Sequence, residues 1–295
     1  MKKVLFSIMT LAAFVACNKN NDIVPSHQPA EAGLITFGVS ELVATKAVSE
    51  STGETVQATG FNVAGVTSDG VKYFNELATY SAGSYATAKK YYYPSGKTMD
   101  FYAVHPINEE ITLNGAAASV EYTHSKYEDL IVAKKNAVTA QAGDVALTFD
   151  HILSQLVFTA KGSDASASYK LNSIVVNAPN GGVYTFADGK WSRGTLADEN
   201  YWNTTIEVST SEPTAIQESM TFLPGAIVVT ANWDTYVDGE HIANYVKSTP
   251  VDGIVLEQGK KNTINLTLPN ASAQGISFSV TVNPWGAASQ DVTLN

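Results

Sequence analysis

Ile276-Ser277-Phe278-Ser279-Val280-Thr281-Val282 alternates strictly between apolar and hydroxyl-bearing residues. Successive side chains of a β-strand point to opposite faces, so one face of the predicted strand carries Ile276, Phe278, Val280 and Val282. Burying four such side chains contributes on the order of 6 to 12 kcal/mol, at about 1.5 to 3 kcal/mol each. The stretch therefore predicts a half-buried β-strand near the end of the chain.

Short runs rich in β-branched and aromatic residues recur along the chain, which is typical of β-sandwiches. Dipeptides that favour the positive φ angles of tight hairpin turns lie between many of these runs. Together they predict an all-β fold made of antiparallel β-sandwiches. The predicted strands cover residues 34–39, 61–66, 99–104, 129–133, 145–149, 153–160, 171–177, 204–208, 227–233, 254–256, 263–268 and 276–282. The dipeptides are Asp69-Gly70, Gly181-Gly182, Asp188-Gly189, Asp238-Gly239 and Asp252-Gly253.

The length of the chain favours two domains. Its 295 residues are more than one ordinary sandwich core needs. A polar stretch at 134–143 has no strand pattern and lies between two predicted strands. We therefore place the boundary there, which gives an N-terminal domain at 47–143 and a C-terminal domain at 144–295. A long hairpin loop inside a single domain is the alternative.

The N-terminus has the organisation of a lipoprotein signal peptide at residues 1–16. Two lysines precede a mainly apolar segment at 4–15 that is too short to span a bilayer, and Ala16 precedes the only cysteine, Cys17. Several acyl chains on one residue anchor a protein stably. The pattern predicts that Cys17 carries lipid and attaches the protein to a membrane outside the cytoplasm. A buried structural cysteine is the alternative.

The residues after Cys17 are expected to lie outside the cytoplasm without spanning a membrane. No later apolar run approaches the roughly 20 residues of a transmembrane helix. The segment at 18–32 is polar and contains Pro25 and Pro29, which predicts a flexible tether. Since there is no second cysteine, disulfides are excluded and the core alone must stabilise the fold.

Charge and motif content argue against nucleic-acid binding and against catalysis. The chain has 18 basic and 28 acidic residues, a net charge of −10, and Arg193 is its one arginine. Nucleic-acid binding needs clustered lysines and arginines to neutralise phosphates. The histidines show no metal-ligand spacing, and the neighbours Asp150 and His151 point to opposite faces of a predicted strand. We therefore expect no nucleic-acid partner, no metal, no cofactor and no enzymatic activity.

Several clustered aromatic residues leave two interpretations open. Aromatic rings exposed on a surface can stack on sugars, but aromatic residues of all-β proteins more often pack in the core or at strand edges. The residues concerned are Tyr91-Tyr92-Tyr93, Trp191 and Tyr201-Trp202.

A set of motifs spread over nearly the whole chain resembles the fimbrillin-like proteins of the Bacteroidales. The most specific of them is Leu147-Thr148-Phe149-Asp150-His151-Ile152-Leu153-Ser154-Gln155-Leu156. The others, besides the lipoprotein signal, are Ala44-Thr45-Lys46-Ala47, Tyr91-Tyr92-Tyr93-Pro94, Phe101-Tyr102-Ala103-Val104-His105-Pro106, Asp129-Leu130-Ile131-Val132-Ala133, Phe222-Leu223-Pro224 and Val282-Asn283-Pro284-Trp285.

This resemblance implies a pilus subunit with two transthyretin-like β-sandwich domains. It implies export as a lipidated precursor, cleavage by a trypsin-like protease and polymerisation with other pilin subunits by strand exchange. Adhesion to a host or bacterial surface receptor or glycan would follow. The alternative is a surface lipoprotein that keeps its lipid and acts as a pilus anchor or as a glycan-binding adhesin.

The sequence offers one place for such a cleavage. Lys46 is the only lysine or arginine between Lys19 and Lys72. A cut between Lys46 and Ala47 would release residues 17–46, which contain the lipid, the tether and the first predicted strand. The apolar residues of that displaced strand are Leu34, Ile35, Phe37 and Val39. An ordinary surface lysine is the alternative for Lys46.

The C-terminal strand is the expected replacement for the strand that is lost. Removing the first strand would expose an apolar groove, and a neighbouring subunit's residues Ile276, Phe278, Val280 and Val282 could fill it while adding main-chain hydrogen bonds. The same stretch could also be the last strand of its own domain, and in a monomer both can hold.

The lipid anchor is tested by changing the lone thiol. We expect Cys17→Ala to leave the protein out of the membrane fraction of fractionated cells, because no other residue can take the lipid. A Cys17→Ala protein that sediments with the outer membrane like the parent would contradict the anchor.

Overall fold

The computed structural model describes residues 33–39, 51–125, 127–251, 253–270 and 275–285. Within these ranges the regular secondary structure is β-strand apart from one seven-residue helix, which confirms the all-β fold. The predicted lipidation site Cys17 and the predicted cleavage site Lys46-Ala47 lie outside the described residues. They stay predictions.

The elements follow one another in the order β1 (Phe37–Val39), α1 (Gly53–Thr59), β2 (Phe61–Thr67), β3 (Lys72–Ser81), β4 (Ser84–Thr87), β5 (Met99–His105), β6 (Ile111–Asn114), β7 (Ala117–Thr123), β8 (Ile131–Val138), β9 (Val145–Leu147), β10 (Phe149–His151), β11 (Ser154–Gly162), β12 (Ser168–Pro179), β13 (Gly181–Thr185), β14 (Lys190–Arg193), β15 (Leu196–Trp202), β16 (Ile206–Val208), β17 (Thr214–Phe222), β18 (Gly225–Val237), β19 (Glu240–Ser248), β20 (Ile254–Leu256), β21 (Lys260–Leu268) and β22 (Ser277–Pro284).

Two details differ from the sequence-based expectation. Gly181-Gly182 was expected to form a turn but begins strand β13. The polar stretch expected to lack strand structure from residue 134 is strand as far as Val138, because β8 stays paired with β5. A shift of register opposite Asp100 allows this: the Asp100 carboxylate accepts a hydrogen bond from the Ala137 amide at 2.7 Å, and Ala137 adopts a φ of 53°. The exposed side chains at 134–137 give this strand its loop-like composition.

Sheet 1 has eight strands in the order β10-β8-β5-β2-β3-β4-β1-β9. The inward-facing residues of all eight strands form one buried cluster, which we name core A and which contains Phe37, Phe61, Phe101 and Phe149. The sheet therefore curls around its own core. Helix α1 adds Val56 to core A, and its start is stabilised by a capping box between Thr52 and Thr55.

Sheet 2 covers the outer face of sheet 1. It has four strands in the order β14-β13-β7-β6. Residues from both sheets form core B, to which β2 contributes Ala64 and Val66 while Phe61 and Val63 of the same strand enter core A. Strands β2, β5 and β8 are thus buried on both faces. This explains why residues 61–66, 99–104 and 129–133 are nearly continuous apolar runs.

Sheets 3 and 4 enclose core C in a two-sheet sandwich. Sheet 3 has the order β17-β11-β21-β22, and sheet 4 has the order β15-β12-β18-β19 with β16 and β20 attached to β12 and β18. Leu156 and Ile264 from sheet 3 meet Val229 and Trp233 from sheet 4. Most strand pairs are antiparallel, but β11 pairs with β21, and β1 with β9, in parallel.

The pairing crosses the predicted domain boundary at 143 and 144 twice. Strands β9 and β10 belong to sheet 1, and the hairpin of β13 and β14 extends sheet 2 by pairing with β7. The chain enters sheet 3 at Ser154. The division at 143 and 144, and the transthyretin-like type of the sandwiches, stay predictions.

The loop between β5 and β6 contains a carboxyl group with a shifted pKa. Glu109 is half-buried there, and burial, with the nearby charge of Glu128, raises the pKa of its carboxyl from 4.5 to about 7. Folding therefore favours the protonated form of Glu109. As the pH rises from 4.5 to about 7, the Glu109 carboxyl ionises first in the unfolded chain. The folded state therefore becomes less stable relative to the unfolded state.

Replacing this group should remove that loss. We expect Glu109→Gln to raise the melting temperature relative to the parent at pH 8 and to change it much less at pH 4, because at pH 4 the parent carboxyl is mainly protonated in both states. Thermal unfolding across this pH range measures it, with Glu110→Gln at the exposed neighbour as the control. An equal effect of Glu109→Gln at both pH values would contradict the explanation.

Candidate assembly site

The first strand lies inside sheet 1. Strand β1 pairs antiparallel with β4 and parallel with β9, so that Phe37 stands opposite Tyr85 on one side and Val145 on the other. We name the space that β1 fills between β4 and β9 the β1 slot. Without β1, both flanking strands would lose their hydrogen-bonding partner on that side.

The side chains of this segment are unequal. Ile35 is 3% exposed and Phe37 is fully buried, whereas Leu34 is 38% exposed and Val39 is half-buried against core A. The Phe37 ring meets the rings of Phe61 and Phe101 edge to face, at centroid distances of 6.1 and 5.4 Å. Three of the four predicted residues thus pack on core A, and Leu34 does not because it neighbours Ile35 and faces the other way.

Polar contacts fix the position of β1 along the slot. The Thr36 hydroxyl donates to a carboxylate oxygen of Asp144 at 2.5 Å, and the Thr36 carbonyl accepts from the Val145 amide at 2.8 Å. Nearer the start of the described segment, the Ile35 amide donates to the Tyr91 carbonyl at 2.9 Å. These contacts come from side chains and backbone on both sides of the slot.

The last strand lies at the edge of sheet 3. Strand β22 pairs antiparallel with β21 from Thr267 and Ser277 to Lys260 and Pro284. Of the four residues predicted to share an apolar face, Ile276 is 7% exposed, while the other three are half-buried; Phe278 and Val280 pack against core C. The stretch that defines the predicted donor is thus an edge strand of the chain's own sandwich, and the first and last strands lie in different sheets.

The end of β22 is anchored by a contact that the sequence did not predict. Trp285 is buried in core B and stacks on His151 at 4.5 Å with an interplanar angle of 6°. His151 Nδ1 lies 2.9 Å from Asp129 Oδ2, which also accepts the Ser51 amide at 3.0 Å. His151 therefore meets Asp129, 22 residues earlier, and the short-range sequence signal Asp150-His151 gave no hint of this partner.

The clustered aromatic residues mainly pack inside the protein. Tyr93 and Tyr201 are 1% exposed, and the Trp191 indole donates to the Ile152 carbonyl at 2.9 Å. Tyr91 stacks on Phe74 at 4.6 Å. These four residues therefore pack within the protein, which agrees with the interpretation of core or strand-edge packing.

The histidines of the described ranges make structural contacts. His105 Nδ1 lies 2.9 Å from the Gly60 carbonyl, and burial lowers the pKa of its imidazole. His124 stacks on Phe222, and His241 contacts Asp234. Across the ranges that the structure describes, no three His, Cys, Asp or Glu side chains are arranged to hold a metal ion.

The helix in these ranges is too short and polar to cross a membrane.

The burial of Phe37 predicts a measurable stability effect in the uncleaved protein. We expect Phe37→Ala to lower the free energy of unfolding by about 3 to 5 kcal/mol, because it leaves a cavity between two other rings. The exposed Leu34→Ala should cost about 1 kcal/mol or less and serves as the control. Urea unfolding measures both, and equal losses would contradict the described packing of β1.

Comparison with solved structures identifies the fold. A candidate cell adhesion protein of Bacteroides uniformis aligns with a TM-score of 0.51 and 18% identity over 85% of this chain and 99% of that chain. Others described in the same way come from Parabacteroides distasonis (TM-score 0.49, 8% identity, 87% and 98% covered) and Bacteroides ovatus (0.47, 15%, 85% and 96%). The Bacteroides uniformis structure shares the overall fold with this chain.

Comparison of the sequence with family models identifies the family. No curated protein gives a significant match. A model described as Fimbrillin-like matches residues 38–285, a range that includes nearly all the strands. This match confirms the resemblance that the motifs indicated. The chain belongs to the fimbrillin-like family.

Proposed function

We propose that this chain is a structural subunit of a fimbria that is exported as an outer-membrane lipoprotein, processed after Lys46 and assembled by strand exchange. The observation that carries the proposal is the place of β1 between β4 and β9. A strand at an edge could leave with little consequence, whereas the loss of β1 opens a two-sided slot over core A.

The physical cost of an empty slot supports assembly. Ile35 and Phe37 are buried, and each such side chain contributes about 1.5 to 3 kcal/mol. The backbone groups of β4 and β9 that face β1 would also lose their partners, and unpaired strand edges invite pairing with another chain. A donor strand from a neighbouring subunit restores both the burial and the ladder.

The position of Lys46 in the chain supports its role as the cleavage site. It lies in the segment 40–50 that connects β1 to Ser51, where the described structure resumes. A cut after Lys46 leaves β1 attached to the rest of the protein by non-covalent contacts alone. The lipid on Cys17 and the tether stay with the released piece, so processing and detachment from the membrane are one event.

Strand β22 is the proposed donor. It alternates along its length and lies at the edge of sheet 3, so it can leave with the loss of one set of strand hydrogen bonds. Because the donor and the slot belong to different sheets, the contact between subunits is head-to-tail and extends into a filament. Adhesion as the role of this filament is supported by the candidate cell adhesion protein of Bacteroides uniformis, which has a similar fold.

The anchoring of Trp285 favours a second candidate function. A subunit whose β22 stays in its own sandwich could keep its lipid and act as a pilus anchor or glycan-binding adhesin. N-terminal sequencing of the surface-exposed protein separates the two. A start at Ala47 supports the fimbrial subunit, and retention of residues 18–46 supports the anchor.

The proposal predicts that processing controls polymerisation. We expect purified Lys46→Ala protein to stay monomeric after treatment with a trypsin-like protease, because β1 remains covalently tied into its slot. Lys72→Ala, at an exposed position of β3, is the matched control and should polymerise like the parent. Size-exclusion chromatography and electron microscopy measure both.

The donor is tested in the same assay by deleting residues 275–295. This variant should be cleaved yet remain unpolymerised, and mixing it with cleaved parent should cap growing filaments, since it offers a slot without a donor. Polymers formed by both the Lys46→Ala and the deletion variants at the parent's rate would overturn the mechanism.

A further inference from the structure

The first and last strands carry the same pattern of residues. Ile35-Thr36-Phe37-Gly38-Val39 and Ile276-Ser277-Phe278-Ser279-Val280 share three identical apolar residues at the same spacing. Both also have a hydroxyl-bearing residue between the isoleucine and the phenylalanine. Resting on the strand exchange proposed above, we infer that β22 of one subunit enters the β1 slot of the next in a single register, with Phe278 in the place of Phe37.

The apolar side chains fit this register. Phe37 is fully buried between Phe61 and Phe101, so the slot contains a pocket shaped for one aromatic ring. Phe278 supplies that ring, and it is only half-buried in its own sandwich. Moving it into the pocket therefore increases its burial, while Ile276 and Val280 repeat the side chains of Ile35 and Val39.

The polar contacts fit it as well. Thr36 anchors β1 by donating its hydroxyl to Asp144 at 2.5 Å. In the inferred register Ser277 stands at this position and keeps a hydroxyl for the same carboxylate. A donor shifted by one residue would instead direct its apolar face away from core A, because a one-residue shift exchanges the two faces of a strand.

The pair Gly38 and Ser279 is the one non-conservative difference between the two strands, and the slot has room for a side chain there. A Cβ atom added to Gly38 would lie 3.5 Å from the Asp144 Cβ and 3.6 Å from its carboxylate, which is ordinary van der Waals contact. Gly38 does not adopt a positive φ, so a side chain brings no backbone strain. Ser279 can therefore replace Gly38.

The register also explains where the donor enters. In this register Gly275 takes the place of Leu34, and residue 274 would take the place of Gly33. A Cβ atom added at Gly33 would lie 2.6 Å from the Gln141 carbonyl oxygen. Any residue larger than glycine is excluded there, so the donor turns out of the slot at the flexible Gly275. The C-terminal residues 286–295 contain no aromatic residue and do not repeat the pattern.

A disulfide between subunits tests the register. In a Cys17→Ala background, Asp144→Cys combined with Ser279→Cys should form an intermolecular disulfide after cleavage and polymerisation, because a Cβ separation of 3.5 Å suits a disulfide. Oxidation followed by non-reducing electrophoresis should show a ladder of multimers. The uncleaved double variant should show none. Ser279 is exposed in the monomer, so the change should not impair folding.

Asp144→Cys with Thr281→Cys is the matched control. Thr281 lies on the same face of β22, and both hydroxyls are 3.4 Å from the amide nitrogen of Asn265, but it stands two residues, or about 6.6 Å, further along the strand. This pair should give no ladder. In uncleaved protein, Gly38→Cys with Asp144→Cys should close within one subunit and block polymerisation.

The outcomes separate the register from the exchange itself. Polymers in which only the Thr281→Cys pair is linked, or neither pair is, would overturn the register and leave strand exchange standing. If cleaved Asp144→Cys single variant and parent protein both remain monomeric, strand exchange itself is wrong.

Discussion

The structure of sheet 1 depends on the insertion of one short strand between two others. Strand β1 has three residues, yet it joins β4 to β9 and places the Phe37 ring among the aromatic residues of core A. Burial of Phe37 and the hydrogen bonds of Thr36 act together, because the side chain fixes the depth of the strand and the polar contacts fix its position along the slot. Without this strand, β4 and β9 would each lack a hydrogen-bonding partner on one side.

A second set of contacts, around the Asp129 carboxylate, joins distant parts of the chain. The buried Asp129 carboxylate binds the Ser51 amide and lies against His151, whose ring stacks on Trp285. Ser51 begins the described segment that follows the proposed cleavage site, and Trp285 directly follows β22. The segment after the proposed cleavage site thus contacts the Asp129 carboxylate directly, and the segment after β22 contacts it through His151. Freeing β22 must disrupt the stack of Trp285 on His151.

The sequence predicted the strands well where apolar runs were clear, because periodicity reports burial directly. It failed at 134–138, where a paired strand has exposed polar side chains, and at Gly181-Gly182, where pairing with β7 overrides a local turn preference. The sequence showed that Phe37 and Phe278 belong to apolar strand faces. It could not show that β1 lies between two strands or that His151 meets Asp129, since these depend on contacts between residues far apart in the chain. Cys17 and Lys46 rest on the sequence alone.

Hydrogen exchange at the Val145 amide tests the central claim most directly, because this amide donates to the Thr36 carbonyl of β1. It should exchange slowly in the precursor, rapidly in the cleaved monomer and slowly again in the polymer. The Leu156 amide, in sheet 3 away from the slot, provides the internal reference. The three states to compare are the precursor, the cleaved monomer from which β1 has been removed, and the polymer. Equal protection of the Val145 amide in all three would contradict the account.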